Sequence, residues 1–486
     1  MKDEIYYQDA TSLARLIKKK VISPVEIFDL LEKRISKLNP DLNAIIQFPD
    51  DSRIKAKEAE NDLYTKDKLA IFHGVPFTVK DCIDTQGILT TRGSKIFSSN
   101  RPNKDATVVK RMKDSGAILI GKTNMPELAL WWETANSLYG KTENPWSIGK
   151  TPGGSSGGEA SAISAGLSPF GIGSDLGGSI RQPAAFCGIV GFKPSHGRVP
   201  LTGHWPNTLL RFMHVGPLSR SVRDIINGLI IMSGNDGNDY YSLKLPRFDF
   251  EHKNLDVKNI KVAYCYDGPF NPVSQEVKLN ISRASEVFKD MGANVERVFL
   301  EDWVDIDHQV ATSKIYAVEG GFYLNSIIGE NFNKLSPVMK RRLLNKPPTL
   351  DEYLDSMKKV EELRGCFTKL FSEYDILLCP VSPTVAYKHD PINHNGNDLN
   401  FNPPYLDVDG EIIEGRNSIG ATIPADLSGF PAISLPFGFS NKGLPIGVQL
   451  IGRYAEDSSL LGLSLCFESH TKGIKNYPYD WIFEGE

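Results

Sequence analysis

The stretch Gly-Gly-Ser-Ser-Gly-Gly at residues 153–158, followed by Gly-Gly-Ser-Ile-Arg-Gln-Pro at residues 177–183, indicates the fold and chemistry of this chain better than any other. It places Ser155 and Ser179 on glycine-rich backbone, which can approach a substrate closely and can adopt positive φ angles. Such backbone also leaves N–H groups free to stabilise a developing oxyanion. A serine in this setting can be a nucleophile if a neighbouring base accepts its proton.

The composition is that of an ordinary globular protein, with 486 residues, 41% hydrophobic and 23% charged. A formal net charge of -4 creates no strong field for nucleic acid or for an anionic membrane surface. The six cysteines form no C-x-x-C pair, which disfavours a zinc site and is typical of a reduced, cytoplasmic protein. No signal-peptide core follows Met1, and no run of about 18 apolar residues could span a bilayer. We therefore expect a cytoplasmic protein with no metal and with no nucleic-acid or membrane partner.

Apolar runs and helical patterns alternate along most of the chain. Residues 8–37 predict two helices, and Asn39-Pro40 is expected to end the second. Short apolar runs, such as those at residues 75–79 and 447–451, predict buried strands. The alternation is typical of an α/β protein with one large domain. We predict a central, mixed and largely parallel β-sheet with helices on both faces, and an N-terminal helical layer, residues 1–65, packed on an α/β domain, residues 66–486.

Several familiar motifs are incomplete in this sequence. Residues 153–157 match the G-x-S-x-G nucleophile elbow of α/β-hydrolases, but the preceding residues 144–152 are loop-like where that elbow needs a strand. A dinucleotide loop beginning at Gly171 lacks its third glycine, since Leu176 stands there. Residues 407–410 lack the further ligands of a calcium loop. We therefore expect no cofactor.

The block at residues 152–194 resembles the amidase signature family. The spacing between Ser155 and Ser179 matches that of the two catalytic serines of the family. Segments at residues 74–81, 121–127, 429–436 and 443–452 extend the resemblance over most of the chain. The resemblance implies the amidase signature fold and the hydrolysis of a small-molecule amide. It also allows a homodimer, since relatives are often dimers.

The resemblance implies a Ser–Ser–Lys triad in this chain. Ser179 would be the acylated nucleophile, Ser155 would follow a cis peptide bond and relay the proton, and Lys80 would be the base. The oxyanion hole would be formed by backbone N–H groups of Leu176, Gly177, Gly178 and Ser179.

The chemistry of these three side chains agrees with the roles that the resemblance implies. Lysine is a base only when its amine is neutral, and burial lowers its pKa. Lys80 follows the apolar run at residues 75–79, so we expect its stem to begin in the core. Taken singly, Lys80 would be a solvated strand end and Ser179 a helix N-cap. The three segments together, in this order and spacing, favour the catalytic interpretation.

The segment after Lys122-Thr123 bears on the substrate. We predict that Thr123, Met125, Trp131 and Ser156 line the substrate pocket. The glutaminase subunit of tRNA-dependent amidotransferases, which shares the signature, usually has Asn-Met-Asp-Glu-Phe-Ala-Met-Gly here, whereas residues 124–132 are Asn-Met-Pro-Glu-Leu-Ala-Leu-Trp-Trp. The two tryptophans favour a free-standing amidase for an uncharged acyl or aryl amide. That glutaminase subunit, or a catalytically silent relative, is the alternative.

Overall fold

The computed structural model describes residues 5–250, 256–390, 392, 394–396, 398–399, 405–471 and 478. Its strands are β1 (Ile45–Gln47), β2 (Pro76–Lys80), β3 (Ile118–Thr123), β4 (Ala135–Asn136), β5 (Gly140–Lys141), β6 (Phe170–Asp175), β7 (Val190–Lys193), β8 (His214–Ser219), β9 (Lys261–Tyr264), β10 (Asn294–Arg297), β11 (Ile376–Pro380), β12 (Tyr405–Val408), β13 (Glu411–Glu414), β14 (Ala432–Phe439) and β15 (Pro445–Gly452).

The α-helices are α1 (Ala10–Lys18), α2 (Pro24–Leu42), α3 (Ser52–Thr65), α4 (Thr107–Asp114), α5 (Gly157–Ser164), α6 (Arg181–Cys187), α7 (Val222–Met232), α8 (Gln275–Asp290), α9 (Glu301–Val304), α10 (His308–Ile315), α11 (Gly321–Ile328), α12 (Pro337–Leu344), α13 (Leu350–Glu373), α14 (Ile423–Ser428) and α15 (Asp457–Thr471). No helix among the described residues is both long enough and apolar enough to cross a membrane.

Most strands form one sheet, in the order β1-β3-β2-β6-β8-β7-β14-β15-β11-β9-β10. β2 pairs in parallel with β3 and β6, and β9 pairs in parallel with β10 and β11. The antiparallel strands β8, β7, β14 and β15 join these two parallel groups, and β1 lies antiparallel to β3 at one edge. The predicted α/β fold with a mixed sheet is confirmed.

Helices cover both faces of the sheet, as β15 shows. A Cβ added to Gly447 would lie 2.5 Å from the Cβ of Ala185 in α6, and one added to Gly452 would lie 3.1 Å from the Cβ of Leu460 in α15. Side chains alternate between the two faces of a strand, so residues five apart point to opposite faces. These glycines therefore let α6 and α15 pack closely against opposite sides of the same strand.

The N-terminal segment contributes both helices and a strand. Apolar residues of α1, α2 and α3 belong to the same hydrophobic cluster as those of β2 and β3. β1 lies within this segment and is an edge strand of the main sheet. Residues 5–65 are thus tied to the sheet through backbone pairing as well as through side-chain packing.

The prediction that Asn39-Pro40 ends the second helix is wrong, because α2 continues to Leu42 with Pro40 inside its last turn. The helix stops where Asn43 adopts the left-handed conformation. The side-chain oxygen of Asn39 then accepts the N–H groups of Ala44 at 3.0 Å and Ile45 at 2.9 Å. These bonds satisfy the backbone donors beyond the helix end, so the chain turns after the proline.

Candidate active site

The predicted base lies at the end of a buried strand. Lys80 is the last residue of β2, and its side chain is 0% exposed. Its Nζ atom donates a hydrogen bond to Ser155 Oγ at 2.7 Å and another to Ser174 Oγ at 3.0 Å. The Gly154–Ser155 peptide bond is cis. The structure therefore brings Lys80 and Ser155 into direct contact.

The charge state of Lys80 is governed by its burial. Desolvation lowers the pKa of Lys80, and the weaker effects of Cys82, Asp175 and Glu159 act in the opposite direction. The net result is a pKa below the ordinary value, because a buried ammonium loses its hydration. An amine in this position can be neutral and can accept a proton from Ser155.

Ser179, the predicted nucleophile, lies beside the Ser155 loop. The backbone N–H of Ser156 donates to the carbonyl oxygen of Ser179 at 3.1 Å. Ser179 is partly exposed, and its hydroxyl makes no hydrogen bond within the described residues. Catalytic hydrogen bonds are often long in an unliganded site and tighten when substrate binds. The contact between Lys80 and Ser155 is thus formed, whereas a hydrogen bond from Ser179 to Ser155 is not.

A buried carboxylate holds the backbone around Ser179. Asp175 Oδ1 accepts the N–H groups of Gly178 and, at 2.9 Å, Ser179, and its Oδ2 accepts that of Ile180 at 3.1 Å. Burial raises the pKa of Asp175, but the charge of Arg181 and these donors outweigh it and lower the pKa to about 2. The carboxylate therefore stays ionised and fixes the turn that carries Ser179, the predicted nucleophile.

Arg181 links this turn to a second part of the chain. Its guanidinium lies 3.0 Å from Asp175 Oδ2 and 2.6 Å from Asp426 Oδ2, and all three side chains are fully buried. Arg181 thus pairs with two buried carboxylates and holds the turn in place. Asp426 was not identified as a partner from the sequence, since it lies in α14, far along the chain.

The four N–H groups that were predicted to form the oxyanion hole differ in their surroundings. Those of Gly178 and Ser179 already donate to Asp175. Those of Leu176 and Gly177 have no acceptor among the hydrogen bonds of the described residues. The carbonyl of Leu176 accepts the Tyr316 hydroxyl, and that of Gly177 accepts Thr422 Oγ1 at 2.8 Å. The peptide units of this turn are therefore anchored from outside it.

Three of the four residues predicted to line the pocket are fully buried. Thr123, Met125 and Ser156 are each 0% exposed. The hydroxyl of Thr123 donates to Glu159 Oε1 at 2.9 Å, and that of Ser156 donates to the carbonyl of Ser174. Both hydroxyls are therefore hydrogen-bonded within the protein, whereas Trp131 is partly exposed. That these four residues line the substrate pocket stays a prediction.

Ser174 and Glu159 are parts of the site to which the sequence pattern assigned no role. Ser174 is the second hydroxyl partner of Lys80, and it directly precedes Asp175 in the signature block. Glu159 accepts the hydroxyls of Thr78 and Thr123, and burial raises its pKa to about 8. Glu159 therefore connects α5 with β2 and β3 close to the end of β2. In the sequence, only their position near Ser155 and Ser179 could have indicated that Ser174 and Glu159 belong to the site.

The wall beside Ser155 is formed by the segment at residues 130–133. The rings of Trp131 and Trp132 are stacked with centroids 3.9 Å apart. The backbone of this segment touches the cis peptide, since a Cβ on Gly154 would lie 2.8 Å from the backbone of Trp132 and Glu133. Arg342 Nη1 donates to the carbonyl of Leu130 at 3.4 Å, and no carboxylate in the described part of the chain pairs with Arg342.

Curated relatives that align with nearly the whole chain are components of an amidotransferase. The chain is 34% identical to the A subunit of glutamyl-tRNA(Gln) amidotransferase from Bacillus licheniformis, over 96% of this chain and 98% of that protein. It is 33% identical to the same protein of a Geobacillus species, with the same coverage.

Solved structures extend the comparison to other enzymes of the family. A bacterial aryl acylamidase of the amidase signature family superposes with a TM-score of 0.86 at 26% identity, over 96% of this chain and 97% of that chain. The A subunit of glutamyl-tRNA(Gln) amidotransferase from Thermotoga maritima superposes with a TM-score of 0.74 at 29% identity, over 98% of this chain and 96% of that chain. The family model named Amidase matches residues 26–461. The chain therefore belongs to the amidase family, and its fold is that of the amidase signature enzymes.

Proposed function

We propose that this protein hydrolyses a carboxylic amide to the acid and ammonia or an amine through an acyl-enzyme on Ser179. The observation that carries the proposal is the 2.7 Å hydrogen bond between Lys80 Nζ, which is 0% exposed, and Ser155 Oγ. A buried lysine with a lowered pKa, in contact with a serine beside a second serine, has the properties of a relay base.

In the proposed acylation, neutral Lys80 accepts the proton of Ser155 while Ser155 accepts that of Ser179. The Ser179 oxygen bonds to the amide carbon, and the N–H groups of Leu176 and Gly177 stabilise the oxyanion. The proton then returns through Ser155 to the departing nitrogen, and the C–N bond breaks. In deacylation, water gives one proton to the same relay and attacks the ester, and Ser179 leaves with that proton.

Two observations support an amidase that acts without partner subunits. The solved aryl acylamidase superposes better than the solved amidotransferase component, with TM-scores of 0.86 and 0.74, although its sequence identity is slightly lower. The stacked Trp131–Trp132 pair also gives the wall beside Ser155 a large aromatic surface. A homodimer stays a prediction that light scattering of the purified protein would test.

The experiment is a screen of aryl and aliphatic amides with the purified protein alone. We expect release of ammonia or amine, and an acylated peptide containing Ser179 in mass spectra of the quenched reaction. Ser179→Ala should lose both signals and keep the melting temperature of the parent protein. Full activity in Ser179→Ala would refute the nucleophile assignment.

A glutaminase that serves an amidotransferase is the second candidate, and Arg342 favours it. A guanidinium without a carboxylate partner in the described part of the chain, near the pocket wall, is suited to the α-carboxylate of glutamine. Glutamine hydrolysis that requires the other amidotransferase components, with no turnover of other amides, would establish this candidate. A fluorophosphonate probe that leaves Ser179 unlabelled would indicate a catalytically silent protein instead.

A further inference from the structure

Five polar atoms that are shut off from solvent and lack a hydrogen-bond partner occur in two short segments of the described chain. They are Trp131 Nε1, Trp132 Nε1, Glu133 Oε1, Tyr387 OH and Asp390 Oδ2. The two segments are in contact, because the backbone N–H of Asp390 donates to Glu133 Oε2 at 3.0 Å. Native proteins leave few buried polar atoms unpaired, so the three oxygens among these five atoms indicate donors that a ligand would supply. The two indole N–H groups are themselves donors and do not contribute to this argument. We name these five residues the acidic pocket.

The acidic pocket lies next to the predicted catalytic serine. The backbone of Glu133 is in contact with Gly154, the residue before Ser155. On the Tyr387 side, the Phe186 ring lies 5.8 Å from the Tyr387 ring. Phe186 belongs to α6, the helix that follows Ser179. The pocket is therefore placed between the loop of Ser155 and the helix of the Ser179 turn.

The charges around the acidic pocket leave it short of cations. Glu133 is 2% exposed, and burial together with the charge of Glu133 raises the pKa of Asp390 to about 7. The other groups that face it are His389, Glu143 and Lys141. His389 Nδ1 lies 3.4 Å from Glu133 Oε2, and its Nε2 lies 2.9 Å from the carbonyl of Thr142. Lys141 pairs with Glu143 at 2.8 Å.

Two carboxyl oxygens remain unpaired after the contacts of His389 and Lys141 are counted. Glu133 Oε1 and Asp390 Oδ2 have no donor among the described residues. The Tyr387 hydroxyl lies close enough to the side chains of Glu133 and Ser418 for both to influence its pKa, although no partner in the described part of the chain completes a hydrogen bond of good geometry with it. Both carboxyl oxygens are acceptors when ionised, and the tyrosine hydroxyl can also accept. The pocket therefore offers three acceptors to a ligand that brings its own donors.

We propose that the acidic pocket binds a protonated amine carried by the amide substrate; this rests on the proposed hydrolysis at Ser179. An ammonium group has three donors for the two carboxylates and the tyrosine hydroxyl, and it is attracted by tryptophan rings. A divalent metal is a poorer match, since the described residues contain no group of three or more ligands suited to a metal ion. The proposal differs from the expectation of an uncharged substrate, which rested on the two tryptophans and did not take Glu133 and Asp390 into account.

The test compares pairs of primary amides of equal length that end in either an ammonium or a methyl group, such as 5-aminopentanamide and hexanamide. Shorter and longer pairs cover different distances between the amide and the charge. The parent protein should show a kcat/KM roughly ten- to a hundred-fold higher for the ammonium member of at least one pair, as expected for charge-assisted hydrogen bonds. An equal or lower value for the ammonium member of every pair would overturn the proposal.

Substitutions test whether the acidic pocket causes the preference for the ammonium-ended amide. Glu133→Gln and Asp390→Asn keep the size of each side chain but remove its charge, so the ratio of kcat/KM for the ammonium-ended amide to kcat/KM for the methyl-ended amide should fall towards one. Glu143→Gln is the matched control, since this neighbouring carboxyl also faces His389 but is occupied by Lys141 and by the N–H of Gly149. A preference that survives both substitutions in the acidic pocket would refute its role.

A binding measurement separates this proposal from the hydrolysis at Ser179. In Ser179→Ala, tryptophan fluorescence should report tighter binding of 5-aminopentanamide than of hexanamide, and Glu133→Gln should remove the difference. If neither amide is hydrolysed but the difference in binding is present, the proposed hydrolysis fails and the ammonium site stands. If both are hydrolysed with equal affinity, the hydrolysis stands and the ammonium site fails.

Discussion

The Nζ atom of Lys80 lies 2.7 Å from the Oγ atom of Ser155, although 75 positions separate the two residues in sequence. β2 delivers the lysine and the loop before α5 delivers the serine. The contact is closed off from solvent on both sides, because both residues are buried. Two polar side chains are thereby held in a setting where proton transfer between them does not compete with water.

Replacing the base should remove most of the activity. We expect Lys80→Met to lower kcat by about 10²–10⁴-fold, the usual range for a lost general base. Lys122→Met is the control, because Lys122 is also fully buried but donates to Thr85 and Thr90 instead of Ser155. It should lower thermal stability while the folded protein keeps its kcat. Steady-state kinetics and melting curves check both variants, and equal kcat losses would argue against a specific role of Lys80.

The pH dependence of kcat/KM should show that the catalytic base loses its proton at a lower pH than an ordinary lysine does. Burial lowers the pKa of Lys80 from 10.5, so the amine deprotonates at a lower pH than a solvated lysine does. kcat/KM should therefore rise with pH and reach its plateau below that value. A pH–rate profile of the parent protein measures the midpoint. A rise that continues beyond pH 10.5 would contradict a desolvated base.

The carboxylate beneath the nucleophile turn should matter for stability as well as for rate. Asp175→Asn leaves Arg181 without one of its two buried carboxylate partners, and breaking a buried ion pair costs about 3–5 kcal/mol. We also expect a large loss of kcat, since three N–H groups lose a charged acceptor. Denaturant unfolding and kinetics at one pH measure the two effects.

The Asp175 carboxylate should also make the folding stability depend on pH in the acid range. Folding lowers the pKa of Asp175 from the ordinary value of 3.8 to about 2, so the folded state favours the ionised form. Its stabilisation is complete above pH 3.8 and is lost as the pH falls towards 2, by about 2 kcal/mol in total. Asp175→Asn should remove this part of the pH dependence of unfolding. If the variant lost the same stability between pH 3.8 and pH 2 as the parent protein, other groups would be responsible for this loss.

Two glycine substitutions should have opposite effects. A Cβ at Gly178 would lie 2.0 Å from Thr422 Oγ1, and its φ of +118° is unfavourable for other residues, so Gly178→Ala should cost about 3 kcal/mol or more. Gly365 lies within α13 with no atom inside 4 Å of an added Cβ, so Gly365→Ala should stabilise by roughly 0.5–1 kcal/mol. Unfolding free energies of both variants check the signs. A stabilised Gly178→Ala would show that the turn is not held as described.

Prediction from sequence was most successful where local patterns and ordered motifs agreed. The apolar run at residues 75–79 predicted β2, and the amidase resemblance is confirmed by a family model that matches residues 26–461. Prediction failed at the end of α2, because it considered Pro40 without the side-chain bonds of Asn39. Motif proximity also did not reveal that the hydroxyls of Thr123 and Ser156 are hydrogen-bonded within the protein.

The acidic pocket shows a different limit of sequence reasoning. Trp131 and Trp132 are adjacent in the chain, so their aromatic wall was visible as a motif. Asp390 lies far along the chain from Glu133 and carries no recognisable motif. Its contact with Glu133 depends on how the segment after β11 folds back over the loop of residues 130–133.

Sequence alone determined the mixed α/β architecture, the family and the two serines and one lysine that carry the proposed chemistry, because these depend on local periodicity and on ordered motifs. The tertiary structure decided which groups surround those side chains. Only folding showed that Asp175 occupies two of the predicted oxyanion donors and that Asp426 completes the partners of Arg181. Charge and hydrogen bonding act through distance in space, and segments far apart in sequence meet only when the sheet and its helices have assembled.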